Sequence, residues 1–210
     1  MILPITQFGD PILRKRCRTV SEVTEEIRTL TEDMIETMHE AHGVGLAAPQ
    51  VGQDLRLAVV DVSHDPDCVS VLKVNGEEAE VADIMPLVFI NPRFEKRGER
   101  ERMEEGCLSI QEIRAEVQRP EMVKGTFPQL DGSELELETD GLLARIIQHE
   151  TDHLNGILYI DRLVSPDSLW KITSISEDGE QDEDDEEQLG EGEYEARAAA
   201  TLQEQGDEAG

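Results

Sequence analysis

The 210-residue chain has few cysteines, few lysines and no long apolar run. Three cysteines, Cys17, Cys68 and Cys107, are too few to read as a disulfide framework, which points to a reducing cytoplasm. No apolar stretch is long enough to span a bilayer, and no secretory signal pattern opens the chain. No internal repeat is visible. Only five of the 19 basic residues are lysine, against 48 acidic residues, and the net charge is −29. Such an excess of acid argues against direct binding of nucleic acid or of an anionic membrane. High acid with low lysine fits a protein adapted to concentrated salt, where screening removes self-repulsion. A surface that simply favours solubility is the plainer alternative.

The charge is unevenly spread. Residues 176–210 hold 15 acidic residues and one basic residue. They have little apolar surface to bury, so an acidic disordered tail is expected, with at most a weak helix over residues 194–202. Residues 1–175 are expected to form one folded domain and carry 33 acidic against 18 basic residues. Raising potassium chloride toward molar levels is therefore expected to raise the melting temperature of a chain ended at Ile175, because the Debye length falls to about 3 Å. A lower melting temperature in molar salt would count against salt adaptation.

Against this background, Gln148-His149-Glu150-Thr151-Asp152-His153 carries the most information. On a helix, His149 and His153 share one face and can bind one metal ion. Glu150 can sit beside a water at the metal as its proton acceptor. Thr139-Asp140 offers a cap, Leu142, Leu143, Ile146 and Ile147 an apolar face, and Gly156 a stop. Two histidines meeting by chance are the bland alternative, but the chain has only five.

A third ligand is needed, and no His follows His153. That argues against a zinc endopeptidase of the metzincin kind. The search therefore turns upstream, to Glu104-Glu105-Gly106-Cys107-Leu108-Ser109. A thiolate with two imidazoles is a catalytic-type set that leaves a fourth position open. Alone, Cys107 would more often be a buried apolar cysteine. A third segment, Gly43-Val44-Gly45-Leu46-Ala47-Ala48-Pro49-Gln50, reads as backbone passing close to something. No Gly-Lys-Ser/Thr follows to support phosphate binding, and the Gln50 amide could donate to an oxyanion.

Together the three segments resemble the peptide deformylase family, whose pattern is Gly-x-Gly-x-Ala-Ala-x-Gln, Glu-Gly-Cys-Leu-Ser and Gln-His-Glu-x-Asp-His. All three occur here in that order, and Phe8-Gly9-Asp10-Pro11-Ile12-Leu13-Arg14 resembles the family's opening segment. The resemblance implies that Cys107, His149 and His153 bind a divalent metal, Fe(II) foremost, with Zn or Ni able to substitute. It implies that Glu150 activates water for attack on the formyl group of an N-formylmethionyl nascent polypeptide, then protonates the leaving amine. Gln50 and the Leu108 backbone N–H would hold the oxyanion. Gly43, Val44, Gly45, Leu46 and Glu105 would flank the substrate. Met103, Leu142, Arg145 and Ile146 are candidates for the methionine pocket, with plain core packing as the alternative. Many family members end in a basic amphipathic helix. The acidic tail here should instead repel ribosomal RNA, so any proximity to the ribosome should be transient. A non-catalytic relative is the rival reading, and the intact Glu150 and Gln50 argue against it.

The remaining pattern predicts a helix over residues 24–41, capped by Ser21 or Thr24. Strands are expected at 55–62, 87–91, 117, 122–127 and 157–160. Hairpins are expected at Asn75-Gly76, between 69–74 and 79–82, and at Asp131-Gly132 before 134–138. The expected fold is α+β, with antiparallel sheets packed around a central metal-binding helix.

Overall fold

A computed structural model describes residues 1–64, 70–171 and 187–188. Its organising element is helix α2 (Gly141–Leu154). Leu143, Ala144, Ile146, Ile147 and Leu154 bury one face against strand residues including Ala58, Val60, Phe89, Val123, Phe127 and Leu137. Each fully buried Leu, Ile or Phe contributes about 1.5–3 kcal/mol, so this face anchors the helix far more firmly than its ends do. Asp140 stands at the N-cap position without capping. Its carboxylate instead accepts the Val71 N–H at 2.7 Å. The helix stops at Asn155 and Gly156, which takes φ 73° and leaves no room for a Cβ beside the Arg14 carbonyl.

Two antiparallel sheets flank α2. The smaller has the order β1 (Gly45–Ala47), β2 (Leu57–Val60), β5 (Leu87–Ile90), with β1 at its edge. The larger is built on a long hairpin of β6 (Arg93–Cys107) and β7 (Ile110–Pro128). β7 also pairs with β8 (Glu134–Thr139) and β9 (Leu169–Lys171), and β8 pairs with β3 (Leu72–Val74), which pairs with β4 (Glu77–Glu78). Helix α1 (Glu25–Glu40) closes the smaller sheet, with Met34 and Met38 packed on Leu46, Leu57 and Val59. The expected α+β architecture around the motif helix is present. Among the described residues no helix is long and apolar enough to cross a membrane.

Several local expectations need correction. Residues 157–160 are not a strand. Tyr159–Arg162 forms a 3-10 turn, because the Tyr159 hydroxyl donates to the Ile113 carbonyl and Asp161 accepts the Leu158 N–H at 2.8 Å. Residues 117 and 122–127 are not separate strands but parts of β7. Pro120 interrupts the apolar pattern without breaking the ladder, because it lies where the pairing with β6 shifts register. The Asn75-Gly76 turn is in place, but its second arm is β4, and residues 81–84 form a 3-10 turn. Thr24 takes the N-cap position of α1 without a side-chain capping bond. From the tail, Glu187–Gln188 is described as β10, paired with β9. Otherwise the expected disorder of residues 176–210, the weak helix over 194–202 and Cys68 lie outside the described residues.

Candidate metal and catalytic site

β6 carries Cys107 to the apex of the long hairpin, where Cys107 faces Ile110 across the turn made by Leu108 and Ser109. α2 brings His149 and His153 to the same point. The ligand atoms of Cys107, His149 and His153 lie within 4.8 Å of one another, all at buried or nearly buried residues. Cys107 Sγ is 3.3 Å from His153 Nε2. Metal–sulfur and metal–nitrogen bonds of tetrahedral sites span an edge of about 3.5 Å, so this spacing suits one shared cation. The donor set therefore fits a divalent metal.

Second contacts orient the ligands. His149 Nδ1 donates to Glu105 Oε2 at 3.0 Å, which leaves Nε2 free to ligate. The Tyr159 ring stacks on His149 with centroids 5.9 Å apart. Glu105 is gripped by Arg119 through Nε at 2.7 Å and Nη2 at 2.8 Å, and by Arg145 Nη1 at 2.6 Å. Arg119 Nη1 also reaches Asp152 at 2.5 Å, and Asp152 is held from its other side by Arg162 at 2.5 and 2.6 Å. Burial opposes the charge on Glu105, but the hydrogen bonds from Arg119 and His149 outweigh it and hold the carboxyl well below the usual range.

Glu150 has the opposite environment. It is buried, its Oε2 has no hydrogen-bond partner among the described residues, and burial pushes its carboxyl up to about 7. Nearby positive charge pulls the other way, and a bound cation would add to that pull. The carboxylate lies directly against Gly45, where any Cβ would collide with Oε1. That contact explains why this segment needs a glycine. Gln50 is pinned through Oε1 by the Ala47 N–H at 2.8 Å, and its Nε2 points at Cys107 Sγ (3.4 Å) and Ser109 Oγ (3.3 Å).

A cleft of ≈ 530 Å³ opens over these groups. Gly43, Val44, Gly45, Gln50, Glu105, Cys107, Leu108, His149 and Glu150 line it. Leu142, Arg145 and Ile146 line it too, as the proposed methionine pocket requires, whereas Met103 is not among the lining residues. Leu46 is buried in the α1-side core, and His153 lies behind the cleft. Sequence reasoning missed Arg119, Arg162 and the structural part played by Asp152. One signal was available: Ala115, Val117 and Arg119 alternate on the buried face of β7, and a charge in that register demands a buried partner.

The profile of the polypeptide deformylase family matches residues 2–168. The chain belongs to the peptide deformylase family. A peptide deformylase of Salinibacter ruber is 46% identical over 166 residues, covering 79% of this chain and 82% of that protein. The structure of the Thermotoga maritima peptide deformylase superposes with a TM-score of 0.67 at 40% identity, covering 79% of this chain and 99% of that one. That of an Acinetobacter baumannii enzyme with bound Met-Ala-Ser gives 0.66 at 38% identity, covering 77% of this chain and 99% of that one. This deformylase is a hydrolase that removes the N-formyl group from the N-terminal methionine of newly synthesised polypeptides, releasing formate. Its Cys107, His149 and His153 cluster can hold a divalent metal.

Proposed function

We propose that residues 1–175 act as the catalytic domain of a cytoplasmic, Fe(II)-dependent deformylase, with Zn or Ni able to substitute. Cys107, His149 and His153 hold the ion. When bound, it would act as a Lewis acid that polarises the formyl carbonyl and makes water more acidic. The carrying observation is the buried Glu150 carboxylate, whose Oε2 has no hydrogen-bond partner among the described residues, beside that triad at the base of the cleft. Glu150 takes a proton from the attacking water and delivers it to the departing amine nitrogen as formate leaves. Gln50 Nε2 and the Leu108 N–H donate to the carbonyl oxygen as charge develops there.

The substrate chain has a ready berth. The Asp61 N–H donates to the Val44 carbonyl at 3.0 Å, and Gly45 pairs with Val60. In the antiparallel alternation the backbone of Gly45 then turns away from β2, toward the cleft. Gly43, Val44 and Gly45 can thus receive an extended peptide as an added strand. Leu46 supports that edge from the core side, and Glu105 shapes the wall while orienting His149. The apolar Leu142 and Ile146 accept the methionine side chain. The Met-Ala-Ser peptide in the related Acinetobacter baumannii structure fits such an occupant.

Formate release from formyl-Met-Ala, with bound metal measured after anaerobic purification, tests this reading. No release, or a site holding no divalent metal, would overturn it. Gln50→Ala is expected to lower kcat about a hundred- to a thousandfold with a smaller change in KM, the usual effect of losing one oxyanion donor. A pure rise in KM would assign Gln50 to ground-state binding instead.

A further inference from the structure

A buried carboxylate outside the metal site ties three elements together. Asp61 follows β2 and is almost fully buried. One carboxylate oxygen accepts the Ser63 N–H at 3.0 Å and the Ser63 hydroxyl at 2.6 Å. The other lies 3.0 Å from Nε2 of His39, in the last turn of α1. The His64 ring stands edge-on to His39 at 6.1 Å. The link from α1 to β1 is short and strained. His42 takes φ 53°, and the Gly43 N–H closes back on the Met38 carbonyl at 2.9 Å. Asp61 meets that link directly, because its own N–H holds the Val44 carbonyl. A buried charge is costly unless it is bonded, and nothing in the hydrolysis itself uses Asp61.

We infer that His39 and Asp61 are positioning residues for the substrate: the pair locks the end of α1 to the end of β2 and so fixes the cleft edge at Val44 and Gly45. The inference rests on the reading that this edge receives the peptide beyond formylmethionine. Without the His39 bond, the strained link at His42 and Gly43 loses its brace. The edge then moves relative to Glu150 and the metal triad, which are held by α2 and the long hairpin and stay in place. The pair should therefore matter for substrates long enough to lie along the edge, and not for formylmethionine alone.

The test uses the full-length, metal-loaded enzyme with N-formylmethionine and with formyl-Met-Ala-Ser, comparing wild type, His39→Leu and His39→Gln. His39 is partly exposed, so these variants keep the core intact. Losing one hydrogen bond to a charged group should raise KM for formyl-Met-Ala-Ser about three- to tenfold in His39→Leu, with kcat and formylmethionine hydrolysis little changed. His39→Gln, which keeps an N–H donor, should restore most of the loss. An equal KM increase on both substrates, a fall in kcat alone, or His39→Gln as impaired as His39→Leu would overturn the proposal. If the wild type gains nothing in KM from the Ala-Ser extension, the edge reading itself fails. If the wild type gains and His39→Leu keeps the whole gain, only the His39–Asp61 role fails.

Discussion

Glu150→Gln is expected to retain its metal and lose formate release by about a hundred- to ten-thousandfold, the range a positioned general base supplies. The amide keeps the shape that packs against Gly45 but cannot accept the proton. Stability should not suffer. Burial already disfavours the carboxylate, so removing its charge should cost the fold little. The decisive comparison is turnover against metal content in the same preparation. Near-wild-type turnover would remove Glu150 from the mechanism. Loss of the metal along with the activity would make it a structural residue instead.

Arg119→Met should be the most destabilising single change in the domain. It deletes three charged hydrogen bonds at once, two to Glu105 and one to Asp152, together with the charge that lets both carboxylates stay ionised in the interior. Breaking a buried pair by removing one partner costs about 3–5 kcal/mol, a large part of the 5–15 kcal/mol that holds a typical domain together. Urea unfolding measures it directly, and a loss below about 1 kcal/mol would mean that the network relaxes onto Arg145 and Arg162. The pH dependence has a definite sign. The folded-state pKa of Glu105 lies below its unfolded value. Its contribution is complete above the ordinary carboxylate range and disappears only as pH falls through the folded value. Since Glu105 orients His149, metal affinity should also fall, by about 10–100-fold.

What the sequence disclosed follows from where its periodicities agree with its chemistry. In α2 the three-four spacing of Leu143, Ile146 and Ile147 and the spacing of His149 and His153 describe one helix, so fold and site could be read together. The Asn75-Gly76 and Asp131-Gly132 turns were legible because each dipeptide marks a tight reversal. Residues 157–160 misled because four apolar residues look like a strand whether they pair or pack. Here Tyr159 is drawn to His149 and Ile113 instead. β7 was divided because Arg119-Pro120 resembles a break, and only the tertiary partners Glu105 and Asp152 explain an arginine there. Likewise His39 and Asp61 lie 22 residues apart with no local signal, and the fold alone makes them neighbours.

The hairpin apex couples two quantities that might otherwise vary separately. Cys107 and Leu108 are consecutive residues on one tight turn, so a proposed metal ligand and a proposed oxyanion donor travel as a rigid unit. An ion that prefers a longer or shorter bond to sulfur would drag the Leu108 amide with it. Exchanging the resident metal is then a steric perturbation as well as an electronic one. Among enzymes reconstituted with different ions, turnover should follow the length of the metal–sulfur bond as well as the acidity of the ion.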